Sequence, residues 1–149
     1  MPDKSPNEAV ILSAVRTPIG RFQGGLVGFT APALGAVVIP ICLFNAPAKT
    51  IPRLLDQARW KLVDVDLVEI NEAFAAQVLA DGYAMADLGW DWSKLNVNGG
   101  AIALGHPIGA SGARTLATLI YALKDRGLKR GVASLCLGGG EAVAMAVEA

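Results

Sequence analysis

Val132-Ala133-Ser134-Leu135-Cys136-Leu137-Gly138-Gly139-Gly140-Glu141-Ala142-Val143-Ala144-Met145-Ala146-Val147 reads as strand, tight turn and returning strand. Residues 132–137 are short and apolar, three glycines break the run, and residues 142–147 resume it. An antiparallel pair is the expected result. Working back from it, residues 111–125 read as a helix with Leu116, Ala117, Ile120 and Tyr121 on its apolar stripe and Gly127 as its stop. Residues 95–98 read as a short strand that runs into a glycine-rich loop over residues 99–112. Residues 72–88 read as a helix, because Ala75, Val78, Leu79, Gly82 and Tyr83 recur at 3.6-residue spacing. Residues 65–70 read as a short strand. Thr50 caps a helix reaching about Trp60, with Pro52 tolerated in its first turn. The order from residue 50 onward is α-β-α-β-α-β-β, which calls for an α/β fold, a layered sheet with helices on its faces. Near the N-terminus, residues 9–15 read as a buried strand that ends at Arg16-Thr17-Pro18, followed by a loop at Gly20, Gly24 and Gly25.

At 149 residues the chain has the length of one domain with a real core, and at 53% hydrophobic and 17% charged it is too apolar for a disordered chain. Formal net charge is zero, so there is no basic field for nucleic acid or an anionic membrane, and neither partner is expected. Two cysteines far apart give no zinc pattern and no disulfide framework, and no metal is expected. The first eight residues carry no signal-peptide pattern, which makes a cytoplasmic location the expectation. Residues 22–48 hold no charge, and residues 26–46 have the length of a bilayer span. Pro32, Pro40 and Pro47, with Gly28 and Gly35 between them, favour a buried segment with a short helix over residues 33–39 instead.

Three patches fall at strand ends, where ligands gather in layered α/β sheets. They are Asn71-Glu72-Ala73-Phe74, Gly105-His106-Pro107-Ile108-Gly109-Ala110-Ser111-Gly112, and Cys136-Leu137-Gly138-Gly139-Gly140. His106, the only histidine, lies in a loop where backbone can approach a ligand closely, just before a helix N-terminus. Its imidazole could serve an oxyanion or a thiol, or merely fill a hydrogen-bond niche. Cys136 alone would read as a core residue; the glycines after it can turn bare N–H groups toward a carbonyl beside the thiol. Asn71 could hold a water or a carbonyl, or cap the helix that follows. Glu72 reads as a first-turn helix carboxylate. Cys42, with no glycine, histidine or basic neighbour, reads as core.

These segments resemble the thiolase family, the acetyl-CoA acetyltransferases and 3-ketoacyl-CoA thiolases. Residues 9–26 are similar to its N-terminal strand and loop, residues 66–78 to its Asn-Glu-Ala-Phe segment, residues 96–114 to its histidine loop and residues 132–148 to its closing Cys-x-Gly-Gly-Gly hairpin. The resemblance implies acyl transfer in the Claisen or thiolytic direction on acyl-CoA or 3-ketoacyl-CoA, in fatty acid metabolism, with coenzyme A thioester as substrate and no separate cofactor. It implies Cys136 as the acid/base, His106 as activator of a nucleophilic cysteine and donor to one oxyanion hole, Asn71 as holder of the water completing that hole, and Gly138 as N–H donor to a second. Phe74 is the implied acyl-pocket residue, and Ala73, Gly105 and Gly139 stand with it as expected substrate-binding positions.

The departure from that family is large. Its members are more than twice as long, with two similar halves. Here the N-terminal piece (residues 1–48) runs almost directly into the end of the second half (residues 49–149), with the join near residues 39–50. The frame of the nucleophilic cysteine is missing, and Cys42 does not match it. Turnover is therefore expected to be weak or absent in the chain alone. Residues 9–15, which belong to the other half-sheet in the family, are left unpaired or re-paired, and uncovered apolar surface favours a homo-oligomer or association with a full-length thiolase. Two other readings compete: a non-catalytic acyl-CoA-binding or partner-binding protein, and a Cys–His hydrolase, for which no nucleophile elbow or third carboxylate is present.

Overall fold

The structure, a computed structural model, describes residues 10–16, 46–138 and 140–149. The loop expected at Gly20, Gly24 and Gly25, the short helix at residues 33–39, the core reading of Cys42 and the position of Gly139 lie outside the described residues. No helix among the described residues is long and apolar enough to cross a membrane.

In chain order the elements are β1 (Val10–Arg16), α1 (Ala46–Ala58), β2 (Leu67–Ile70), α2 (Ala75–Ala84), a single turn α3 (Ala101–Leu104), α4 (Ser111–Arg126), β3 (Arg130–Leu137) and β4 (Glu141–Glu148), with short 3-10 turns between them. The strands form one mixed sheet in the order β1-β4-β3-β2. The expected hairpin is β3–β4, antiparallel from Arg130 opposite Glu148 to Leu137 opposite Glu141. Strand β2 runs parallel to β3, with Leu67 opposite Gly131 and Ile70 opposite Ser134. Strand β1 is re-paired: it lies antiparallel along β4, with a register shift between Ile11 and Ser13.

Two layers of helix cover this sheet, so β2 is buried on both faces and its run is apolar but for Glu69. On one face Ile51 and Leu54 of α1, with Val78 of α2 and Met85 beyond it, pack on Val68, Ile70, Val132, Ala144 and Ala146. On the other, Leu119, Ala122 and Leu123 of α4 pack on Leu67, Ala133 and Val147. Helix α4 stops at Gly127, whose φ of 64° is the left-handed conformation that glycine adopts without strain.

Four local expectations are corrected. Helix α1 starts at Ala46, so Thr50 is not its cap and Pro52 is interior; Pro47 at its start already has the fixed φ that a first turn uses. Helix α2 is shorter than residues 72–88 and turned: Gln77, Val78, Asp81 and Gly82 are buried, while Leu79 and Tyr83 are exposed. Residues 95–98 form a single bridge from Leu95 to Val68, not a strand. There the Asn96 side chain replaces a neighbouring backbone, accepting from Ile70 N and donating to Ile70 O, both at 2.9 Å. In α4 the buried stripe is Ser111, Thr115, Leu119, Ala122 and Leu123, while Tyr121 is exposed. Polar residues occupy buried positions on both helices, and a count of apolar side chains cannot see that.

Candidate active site

The parallel ladder of β2 and β3 fixes the site's base. Asn71, one residue past β2, donates its N–H to Ser134 O at 2.9 Å, which holds it beside the strand that carries Cys136. Asn71 is fully buried and is no helix cap: its Oδ1 accepts from Arg114 Nη2 at 3.0 Å, and its Nδ2 lies 3.4 Å from His106 Nε2. Glu72 precedes α2 rather than lying in its first turn. Its carboxylate accepts from Ile102 N at 2.9 Å and from Asn96 Nδ2 at 3.2 Å, so it ties the start of the histidine loop to the sheet.

The loop turns at Gly105, where φ is 89°, and delivers His106-Pro107 to the N-terminus of α4. Pro107 O accepts from Ala110 N, Ser111 N and the Ser111 hydroxyl, at 2.8, 2.9 and 3.0 Å. With its proton spent on that carbonyl, Ser111 Oγ offers a lone pair to His106 Nδ1 at 2.6 Å. Nδ1 then carries the ring proton, and Nε2 presents its lone pair toward the Asn71 amide.

Cys136 sits on β3, and its thiol donates to Gln77 Oε1 at 3.8 Å. Gln77 Nε2 in turn donates to Asp81, whose other oxygen accepts from Ala48 N at 3.2 Å. Burial, together with the nearby Asp81 carboxylate, raises the thiol pKa, so Cys136 is held as a thiol at neutral pH. A cavity of about 350 Å³ collects Ala73, Phe74, His106, Cys136 and Gly138 with Ile108, Leu135 and Leu137. Six of the eight expected site residues are therefore close in space: five line this cavity and Asn71 touches His106. Gly105 acts from outside as the turn, and Gly139 is not described. Sequence reasoning missed Ser111, Arg114, Gln77 and Asp81; Ser111 and Arg114 lay within the histidine-loop segment, but spacing gave no sign of what they touch. Among the described residues no three His, Cys, Asp or Glu side chains are grouped to hold a metal.

Residues 29–149 match the family described as thiolase, C-terminal domain. The chain is 53% identical over 113 residues to the acetyl-CoA acetyltransferase of Allochromatium vinosum, covering 76% of this chain and 28% of that protein. It is 47% identical over 141 residues to the acetyl-CoA acetyltransferase of Escherichia coli, covering 95% and 33%. Among solved structures, human mitochondrial 3-ketoacyl-CoA thiolase superposes with a TM-score of 0.73 at 39% identity, over 97% of this chain and 31% of that one. The Bacillus anthracis acetyl-CoA acetyltransferase superposes with a TM-score of 0.69 at 42% identity, over 94% and 30%. The chain thus spans about a third or less of the length of the relatives it matches.

Proposed function

The chain belongs to the thiolase family, and on that premise we propose that it carries the proton-transfer and oxyanion-binding half of a thiolase site, acting on acyl-CoA or 3-ketoacyl-CoA thioesters. The observation that carries this reading is the single cavity shared by Phe74, His106, Cys136 and Gly138. Cys136 is the acid/base. As a thiolate it takes a proton from Cα of the acyl group, and the electron pair moves to the thioester oxygen as an enolate; as a thiol it returns that proton. His106 Nε2, unprotonated, takes the proton of an attacking thiol and then, as imidazolium, donates to the oxyanion that forms. Gly138 N–H serves the second oxyanion, and Phe74 lines the acyl pocket. The nucleophile is not assigned to any residue of this chain, so full condensation or thiolysis by the chain alone is weak or absent.

Proton transfer at Cα needs no covalent nucleophile, and this makes the reading testable. In deuterated buffer the chain should exchange the acetyl protons of acetyl-CoA, followed by mass spectrometry. The rate should rise with pH through and beyond the ordinary thiol range, because Cys136 must ionise against burial and Asp81. Cys136→Ser should lower it at least about a hundredfold, the usual scale of a lost acid/base. Intact mass after incubation with acetyl-CoA and acetoacetyl-CoA, with peptide mapping, reports any acyl adduct. A chain shown to be folded by circular dichroism that neither exchanges protons nor takes an adduct would sink the catalytic half of the proposal.

A second reading, a partner-binding thiolase-like protein, is favoured by apolar residues around the histidine loop: Ile102, Leu104 and Ile108 are 65%, 62% and 88% exposed. Co-elution with a full-length thiolase in size-exclusion chromatography would support it, and a monomeric profile in the mixture would remove it.

A further inference from the structure

Behind Asn71 stands a buried ion pair that no part of the proposed chemistry uses. Arg114 Nη1 lies 3.8 Å from Glu69 Oε2, with Glu69 on β2 and Arg114 on α4. Glu69 is 1% exposed, and among the described residues neither of its oxygens has a hydrogen bond, nor do Arg114 Nε and Nη1. Such a pair contributes little to stability, since desolvation offsets most of its attraction. Among the described residues its one directed contact is the donation from Arg114 Nη2 to Asn71 Oδ1 at 3.0 Å.

That contact has only one possible polarity. A guanidinium has donors and no acceptor, so the oxygen of the Asn71 amide must face Arg114 and its nitrogen must face away. The nitrogen then meets His106 Nε2 as a donor, and only an Nε2 lone pair can receive it. Ser111 enforces the same state from the other side of the ring by accepting from Nδ1–H. We propose that Arg114, held in place by Glu69, is a positioning residue that sets the orientation of the Asn71 amide and thereby the tautomer of His106. The proposal deepens the reading of His106 as a base through Nε2. Glu69 is the charge that keeps the guanidinium inside the fold, aimed at Asn71 rather than at solvent.

The chain has one histidine, so a single imidazole appears in a long-range proton–nitrogen spectrum. At about pH 8 the wild-type ring should show Nδ1 at the protonated and Nε2 at the unprotonated nitrogen shift. Arg114→Met frees the amide to turn, and the ratio of the two tautomers should move at least about fivefold toward Nε2–H, the fold-change from losing one ordinary hydrogen bond. Arg114→Lys keeps a cationic donor and should retain the wild-type tautomer. Should the methionine variant fail to fold, Arg114→Gln, which can present donor or acceptor, should give an intermediate ratio. A wild-type ring found mainly as Nε2–H, or a folded methionine or glutamine variant with the wild-type ratio, would overturn the proposal. None of these spectra depends on acyl transfer, so their failure is separate from failure of proton exchange at acetyl-CoA.

Discussion

Asp81 sits inside the packed face of α2, with one oxygen on Ala48 N and the other on the Gln77 amide. Burial pushes its pKa up to about 7, and burial does the same to Glu69, whose pKa also rises to about 7. Both values lie above the ordinary carboxylate range near 4. Between about pH 4 and pH 7 the folded chain therefore holds two protons that the unfolded chain has released. Stability from these groups is fully present below pH 4, falls as pH rises to 7, and is flat above it. The decline is on the order of 3–4 kcal/mol per group. Urea midpoints should be higher at pH 5 than at pH 8, and Asp81→Asn should remove roughly half of that difference. Equal midpoints in the wild-type chain would count against the protonated, buried carboxyls. Neither carboxyl was legible in the sequence: Asp81 looks like any polar helix residue until its helix is seen turned inward, and Glu69 interrupts an apolar strand without announcing its partner. His106 and Cys136 drew attention in the sequence because each stands beside glycines or a proline, and Asn71 because it directly follows a short strand.

At the scale of elements, the seam between α4 and β3 is closely packed. A Cβ at Gly131 would lie 2.8 Å from Leu119 Cδ1 and 2.9 Å from Leu123 Cδ1. Both leucines are fully buried, so they have little room to give. Gly131→Ala should cost about 1–3 kcal/mol by overpacking, read as a lower denaturant midpoint with an unchanged slope. An unaltered midpoint would mean that α4 shifts outward freely. The helix itself and its glycine stop were legible from spacing, whereas its buried stripe was not. Leu116 looked inward on apolar grounds and does pack, half-buried, against the α4 core, but Tyr121 is exposed, and Ser111 and Thr115 hold fully buried positions. Ser111 can be buried because Pro107 O and His106 Nδ1 satisfy its hydroxyl. Likewise Asn96 ends the Leu95 bridge because its side chain pairs with Ile70 in place of a strand.

At the scale of the whole molecule, β1 lies at the end of the sheet order, covering the edge of β4 from Val10 opposite Glu148 to Arg16 opposite Val143. Removing the first sixteen residues would bare that edge and offer unpaired N–H and C=O groups to another chain. The truncated chain should form soluble oligomers or aggregates at concentrations where the intact chain does not, measured by light scattering. An unchanged scattering profile would show that β4 does not need this cover. By itself the sequence determined the α/β class, the closing hairpin, the short strand before Asn71 and the three loop patches. Each of these depends on neighbours within a few residues: apolar runs, glycine and proline positions, and the alternation of periods. Only the tertiary structure decided which face of α2 and α4 turns inward, that β1 closes on β4, and that Glu69, Arg114, Asn71, His106 and Ser111 form one connected line. Most of those outcomes depend on partners far apart in the chain, such as Asn71 with His106 and with Arg114, 35 and 43 positions away. Spacing along the chain says nothing of which buried polar group will meet which, because that is settled by how the helices seat on the sheet.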